Sequence, residues 1–149
     1  MRSHKTLFGK AKRAFTLVEI LIVVIILGIL AAVVIPQFAD ASSDAKLSAL
    51  QTNLATVRTQ LSMYKLQHND TWPALATFTN QMTLSSKADG TTAAVGTALY
   101  IYGPYILSVP NNPYTGTNTV SAGAADSSAW YYDESTGEFR ANDTAHVSY

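Results

Sequence analysis

Residues 15–35 read FTLVEILIVVIILGILAAVVI, twenty-one positions with a single charge, Glu19. A helix of roughly 20 apolar residues is long enough to cross a hydrocarbon core of ~30 Å. A cleaved secretory signal also opens on a basic region and an apolar core, but that core runs ~7–15 residues and ends at a small-residue cleavage site. Here Ala31-Ala32 falls inside the run, and Val33, Val34 and Ile35 continue it. The stretch therefore reads as a retained membrane-spanning helix.

Charge is distributed to match. Five of the ten basic side chains (Arg2, Lys5, Lys10, Lys12, Arg13) precede the run with no acid among them. The remainder carries five basic against ten acidic groups, a formal −5. A basic tip before an apolar span stays cytoplasmic while the rest crosses. A nucleic-acid arm is disfavoured, because the span follows at once and no aromatic-interleaved basic patch occurs elsewhere. Cysteine is absent, which excludes a disulfide framework, a thiolate metal site and a cysteine nucleophile.

Downstream of the run, Pro36 either ends the helix or bends a longer one. The pattern beyond it favours continuation. Leu47, Leu50, Leu54, Val57, Leu61 and Tyr64 recur at spacings of three and four, one apolar stripe of an amphipathic helix. No strong stop signal comes before His68-Asn69-Asp70 and Pro73, so a helix is expected from about Phe15 to about Gln67. The stripe is under three heptads, short for a coiled coil, and is expected to pack against the chain's own head.

The rest of the chain is rich in Thr, Ser, Ala, Asn, Gly and aromatics. Residues 98–107 (ALYIYGPYIL) have strand-like content broken by Gly103-Pro104. Residues 130–132 and 138–142 flank Asp133-Glu134-Ser135-Thr136-Gly137, the pattern of a β-hairpin. Trp130 and Tyr132 are expected on one face, with Phe139 and Ala141 on the partner strand. About 80 residues bury little alone, so the amphipathic helix supplies a core wall. The expected class is α+β, a long N-terminal helix packed on a small antiparallel sheet. The boundaries are a basic leader at 1–14, a transmembrane segment at 15–36, an amphipathic helix half at 37–69 and a head at 70–149.

Lys12-Arg13-Ala14-Phe15-Thr16-Leu17-Val18-Glu19 resembles the processing site of type IV pilins and type II secretion pseudopilins. The resemblance implies the pilin fold. It also implies cleavage between Ala14 and Phe15 by a prepilin peptidase, N-methylation at Phe15, and assembly roles for Glu19 and Pro36. Ala14 stands where the family usually has Gly. Tyr64-Lys65-Leu66-Gln67-His68-Asn69 with Trp72-Pro73, then Gly103-Pro104-Tyr105-Ile106 and Val109-Pro110-Asn111-Asn112-Pro113-Tyr114, are similar to segments of the major pseudopilin. In the last segment Asn112 and Tyr114 replace the family's usual Asp and Trp. After Tyr114 little of the family's calcium-binding loop is present.

By this resemblance the chain is expected to be a non-enzymatic, filament-forming subunit of a type II secretion pseudopilus, with a surface type IV pilus subunit as the alternative. A membrane-anchored binding module that does not polymerise is the further rival. The implied partners are further copies of the chain, other pseudopilins or pilins, the prepilin peptidase, an inner-membrane assembly platform, and lipid before assembly. No nucleic acid is implied. The implied place is the bacterial inner membrane, single-pass, with the N-terminus cytoplasmic and the head periplasmic.

Catalytic patterns such as Gly-x-Ser-x-Gly, His-Glu-x-x-His and the phosphate-binding glycine loops are missing from the sequence. No cofactor is expected. Asp126, Asp133, Glu134 and Asp143 could lend oxygens to calcium, but they form no EF-hand and read rather as a solvated acidic surface. His68 beside Asp70 reads as a solvated helix end. A carboxylate within an apolar span usually marks function or a partner. Glu19 either reaches the headgroups or pairs with the amine freed at Phe15.

Overall fold

In the computed structural model, which describes residues 15–149, a helix α1 runs Leu17–Gln67. It continues through position 36, so Pro36 does not terminate it. The expected leader at 1–14, with Ala14, lies outside the described residues. The chain divides into two compact units, one ending at Ala41 and the other Ser42–Tyr149.

In the first unit, the segment Leu17–Ile35 is long and apolar enough to cross a membrane, and none of it is buried. Leu, Ile and Val dominate it, so no polar face exists on which water could solvate it.

In the second unit the stripe is the core wall. Leu50, Leu54, Val57, Leu61 and Tyr64 are all at most 2 % exposed, and Leu47 packs against them half-buried. Burying each large apolar side chain is worth roughly 1.5–3 kcal/mol. The helix stops where Asn69 and Asp70 take positive φ (54° and 63°), which Asn and Asp adopt more cheaply than most residues. The Asp70 N–H turns back to the Lys65 carbonyl at 3.1 Å. Lys65 lies 3.4 Å from Asp70 and 4.6 Å over the Trp72 ring.

A 3-10 turn (Leu75–Thr77) leads into the short helix α2 (Phe78–Thr83), which buries Phe78 and Met82. Strands β1 (Ser85–Ser86) and β2 (Thr92–Ala93) form a small antiparallel pair. The second sheet has the order β3-β4-β5, with β3 at Val120–Ser121, β4 at Trp130–Asp133 and β5 at Glu138–Ala141. β4 and β5 are the expected hairpin. Tyr132 pairs with Phe139 and Trp130 with Ala141, and these four are the buried face. Gly137 closes the turn at φ +77°.

The α+β class holds, and two details differ from the sequence pattern. β3 pairs with β4 in parallel, so the sheet is mixed rather than antiparallel. Residues 98–107 form no strand. One bridge, Ser86 to Tyr102, is all the pairing there, because β1 offers only two residues. Leu99, Ile101 and Leu107 instead stand 76–96 % exposed.

Candidate assembly site and the head surface

Thr16 and Glu19 bond each other reciprocally at the start of α1. The Glu19 N–H donates to the Thr16 hydroxyl oxygen at 3.2 Å. Glu19 Oε2 accepts the Thr16 backbone N–H and its hydroxyl, both at 2.8 Å. This is a capping box, in which an N-terminal Thr and a Glu three residues on satisfy each other's orphan donors. Thr16-Leu17-Val18-Glu19 carries that signal in sequence as a Thr-x-x-Glu pattern. Among the described residues, Glu19 Oε1 takes no hydrogen bond. Phe15 is 80 % exposed beside it in sequence. Phe15 lies just before the helix, Glu19 in its first turn, and position 36 within it.

Several polar groups of the head are buried and bonded within its own fold. His68 is only 2 % exposed, which corrects the solvated helix end expected for it. Its Nδ1 lies 2.8 Å from the Tyr64 carbonyl, its Nε2 lies 2.9 Å from Ser86 Oγ, and its ring stacks on Tyr64 at 3.7 Å. Burial pushes the imidazole below its ordinary pKa. Burial also pushes the Tyr64 phenol up to about 12 and the Tyr132 phenol higher, so both stay neutral. The Tyr132 hydroxyl donates to the Pro73 carbonyl and Trp130 Nε1 to the Pro110 carbonyl, each at 2.8 Å. Arg58 reaches from α1 to the carbonyls of Phe139 and Tyr149, each at 2.8 Å.

A groove of about 510 Å³ runs between α2 and the Leu107–Val109 and Asn118–Val120 segments, and no titratable side chain lines it. A second cavity of about 270 Å³ holds His68, Tyr64 and Asp89, but both His68 nitrogens are already engaged. Among the described residues no three His, Asp or Glu side chains gather as a metal site. The four acids considered for calcium are tied elsewhere. Ser135 holds Asp133, and the Leu75 N–H donates to Glu134 at 2.5 Å. Thr144 holds Asp126, while Asn112 and His146 hold Asp143.

The prokaryotic N-terminal methylation motif matches residues 9–35, which contain Phe15 and Glu19. The chain is 30% identical to type II secretion system core protein G of Aeromonas hydrophila over 105 residues, 70% of this chain and 69% of that protein. It is 31% identical to core protein G of Klebsiella pneumoniae over 103 residues, 69% of each. The chain belongs to the type II secretion system core protein G family. A match to core protein G of Pseudomonas aeruginosa reaches 41% identity over 59 residues, 40% of this chain and 42% of that protein. No solved structure matches the chain significantly. The family resemblance already drawn is to the major pseudopilin of type II secretion.

Proposed function

We propose that this chain is a structural subunit of a type II secretion pseudopilus, assembling through its N-terminal helix into a filament that serves protein secretion. The observation that carries the reading is the segment Leu17–Ile35, none of it buried and with its one carboxylate in the first helical turn. A plain anchor could use that carboxylate only as a cap for its own helix. A subunit that leaves lipid to join a bundle of like helices has a further use for it, because a polar pair fixes register where apolar contacts slide.

Processing comes first. A prepilin peptidase cuts between Ala14 and Phe15 on the cytoplasmic side and methylates the new amine. The segment spans the inner membrane once, with the head periplasmic, until an assembly platform extracts it. In the filament the Phe15 amine of an adjacent copy meets Glu19. The capping box leaves Oε1 to receive it. Opposite charges at ~4 Å attract by ~4 kcal/mol at an effective dielectric of 20, before the cost of desolvation. Subunits added by a repeated rotation that does not close build an open helix. The chain itself catalyses nothing, and a cytoplasmic motor supplies the work.

Two measurements test this. Intact-mass analysis of membrane-extracted protein should give a mature chain beginning at Phe15; a terminus near Ala32 or Pro36 means an ordinary secretory signal. Deleting the gene should abolish secretion without removing long surface fibres. Normal secretion with lost surface pili transfers the assignment to a type IV pilus subunit.

A further inference from the structure

The two positions at which the chain departs from the Val-Pro-x-Asp-Pro-Trp pattern, Asn112 and Tyr114, touch the same loop. Asn112 is fully buried and donates through Nδ2 to the Ala129 carbonyl at 2.9 Å and to Asp143 Oδ2 at 3.3 Å. Its Oδ1 accepts the Tyr114 N–H at 2.9 Å. The Tyr114 ring stacks on His146 with centroids 3.7 Å apart. His146 Nδ1 pairs with Asp143 Oδ1, and both side chains are under 20 % exposed. Alongside, Asp126 accepts the Thr144 N–H at 2.9 Å and the Thr144 hydroxyl, and its own N–H donates to the Asn142 carbonyl.

Calcium requires 6–8 oxygen ligands. All four carboxylate oxygens of Asp126 and Asp143 already accept protein donors. The single buried polar side-chain atom without a partner among the described residues is Asn142 Oδ1. With the Asp126 and Asp143 oxygens engaged and one buried side-chain acceptor left over, the buried side chains of this loop do not supply a calcium shell.

We propose that Asn112 and His146 together do the work of a cation on Asp143, so that the C-terminal loop of the head closes without a divalent metal. Asn112 decides it. An aspartate there would set a second carboxylate against Asp143 at hydrogen-bonding distance. Two such groups cannot both ionise without a counter-charge. The neutral amide removes the repulsion and supplies a donor. His146 takes the other oxygen and is held in place by Tyr114.

The experiment uses the full-length protein in detergent micelles, with thermal unfolding followed by tryptophan fluorescence. Both tryptophans, Trp72 and Trp130, lie in the head. The wild type should melt at the same temperature in EDTA and in millimolar calcium chloride; a rise of several degrees with calcium overturns the proposal. Asn112→Asp should melt several degrees lower in EDTA and recover in calcium. If it melts with the wild type in EDTA, Asn112 has no such role. Should that variant not fold, His146→Phe keeps a ring on Tyr114 and frees Asp143. It should melt below the wild type in EDTA, and an unchanged midpoint again overturns the proposal.

Discussion

Glu19 Oε2 accepts both the backbone N–H and the hydroxyl of Thr16 at 2.8 Å. The carboxylate that an apolar span would otherwise leave unsatisfied is thereby used to cap its own helix. Two roles then overlap on one side chain, a local cap and a charge available to a neighbouring subunit. Glutamine separates them, because it sustains a capping box but carries no charge. Glu19→Ala and Glu19→Gln should both insert into the membrane and keep the head folded. Both should fail to give sheared filaments when expressed as the sole copy. Filaments at wild-type yield from Glu19→Gln mean that the cap, and not the charge, is what assembly needs.

The stripe on α1 makes a second expectation quantitative. Leu54 is 2 % exposed within the main core, whereas Leu66, twelve residues on, is 79 % exposed. Leu54→Ala should cost about 2–5 kcal/mol by removing contacts and leaving a cavity. Leu66→Ala should stay within about 0.5 kcal/mol of the wild type. Urea unfolding followed by fluorescence compares them. Equal losses would mean that the helix does not wall the core.

The elements that were legible in sequence share one property: their signal is a period. Spacings of three and four placed Leu50, Leu54, Val57, Leu61 and Tyr64 on one face, and alternation placed Trp130 and Tyr132 opposite Phe139 and Ala141. The misreadings lack one. His68 is buried because Ser86, eighteen residues later, meets its Nε2, and nothing local announces that partner. Residues 98–107 have strand composition, but a strand needs a neighbour, and β1 is only two residues long. Val120 and Ser121 sit in a Gly/Ser/Thr stretch with no strand signal, so the parallel pairing with β4 was invisible. Thr16 and Glu19 have the spacing of a capping box, but the apolar run around them dominates the local pattern.

Gly137 offers a sharper contrast with Gly116. Both hold positive φ, +77° and +72°. A Cβ at Gly116 would meet nothing within 4 Å, whereas one at Gly137 would lie 2.3 Å from Trp72 Cε2. Gly116→Ala should therefore cost only the backbone term, about 1 kcal/mol. Gly137→Ala should cost clearly more and should also shift the Trp72 emission, because the indole has to move. Equal costs with unchanged emission would show that Trp72 does not pack on the hairpin turn.

His68 sets a pH dependence whose sign follows from its burial. The folded imidazole sits below its ordinary pKa because charging it would place a cation in the core. The unfolded chain titrates near 6.5. Above that pH both states are neutral at this residue, and it contributes no slope. As pH falls below about 6.5, the unfolded state takes up a proton that the folded state resists. Stability is then lost until the folded pKa is passed. His68→Phe keeps a ring on Tyr64, cannot titrate, and gives up the contacts to Ser86 Oγ and the Tyr64 carbonyl. At pH 7.5 the variant should be the less stable of the two. Between pH 6.5 and 5 the gap should narrow, since only the wild type loses stability through this group. Titrations shared by both proteins largely cancel in the difference. Urea midpoints measured every half unit provide the readout, and a constant gap across that range would mean that His68 binds its proton equally well folded and unfolded.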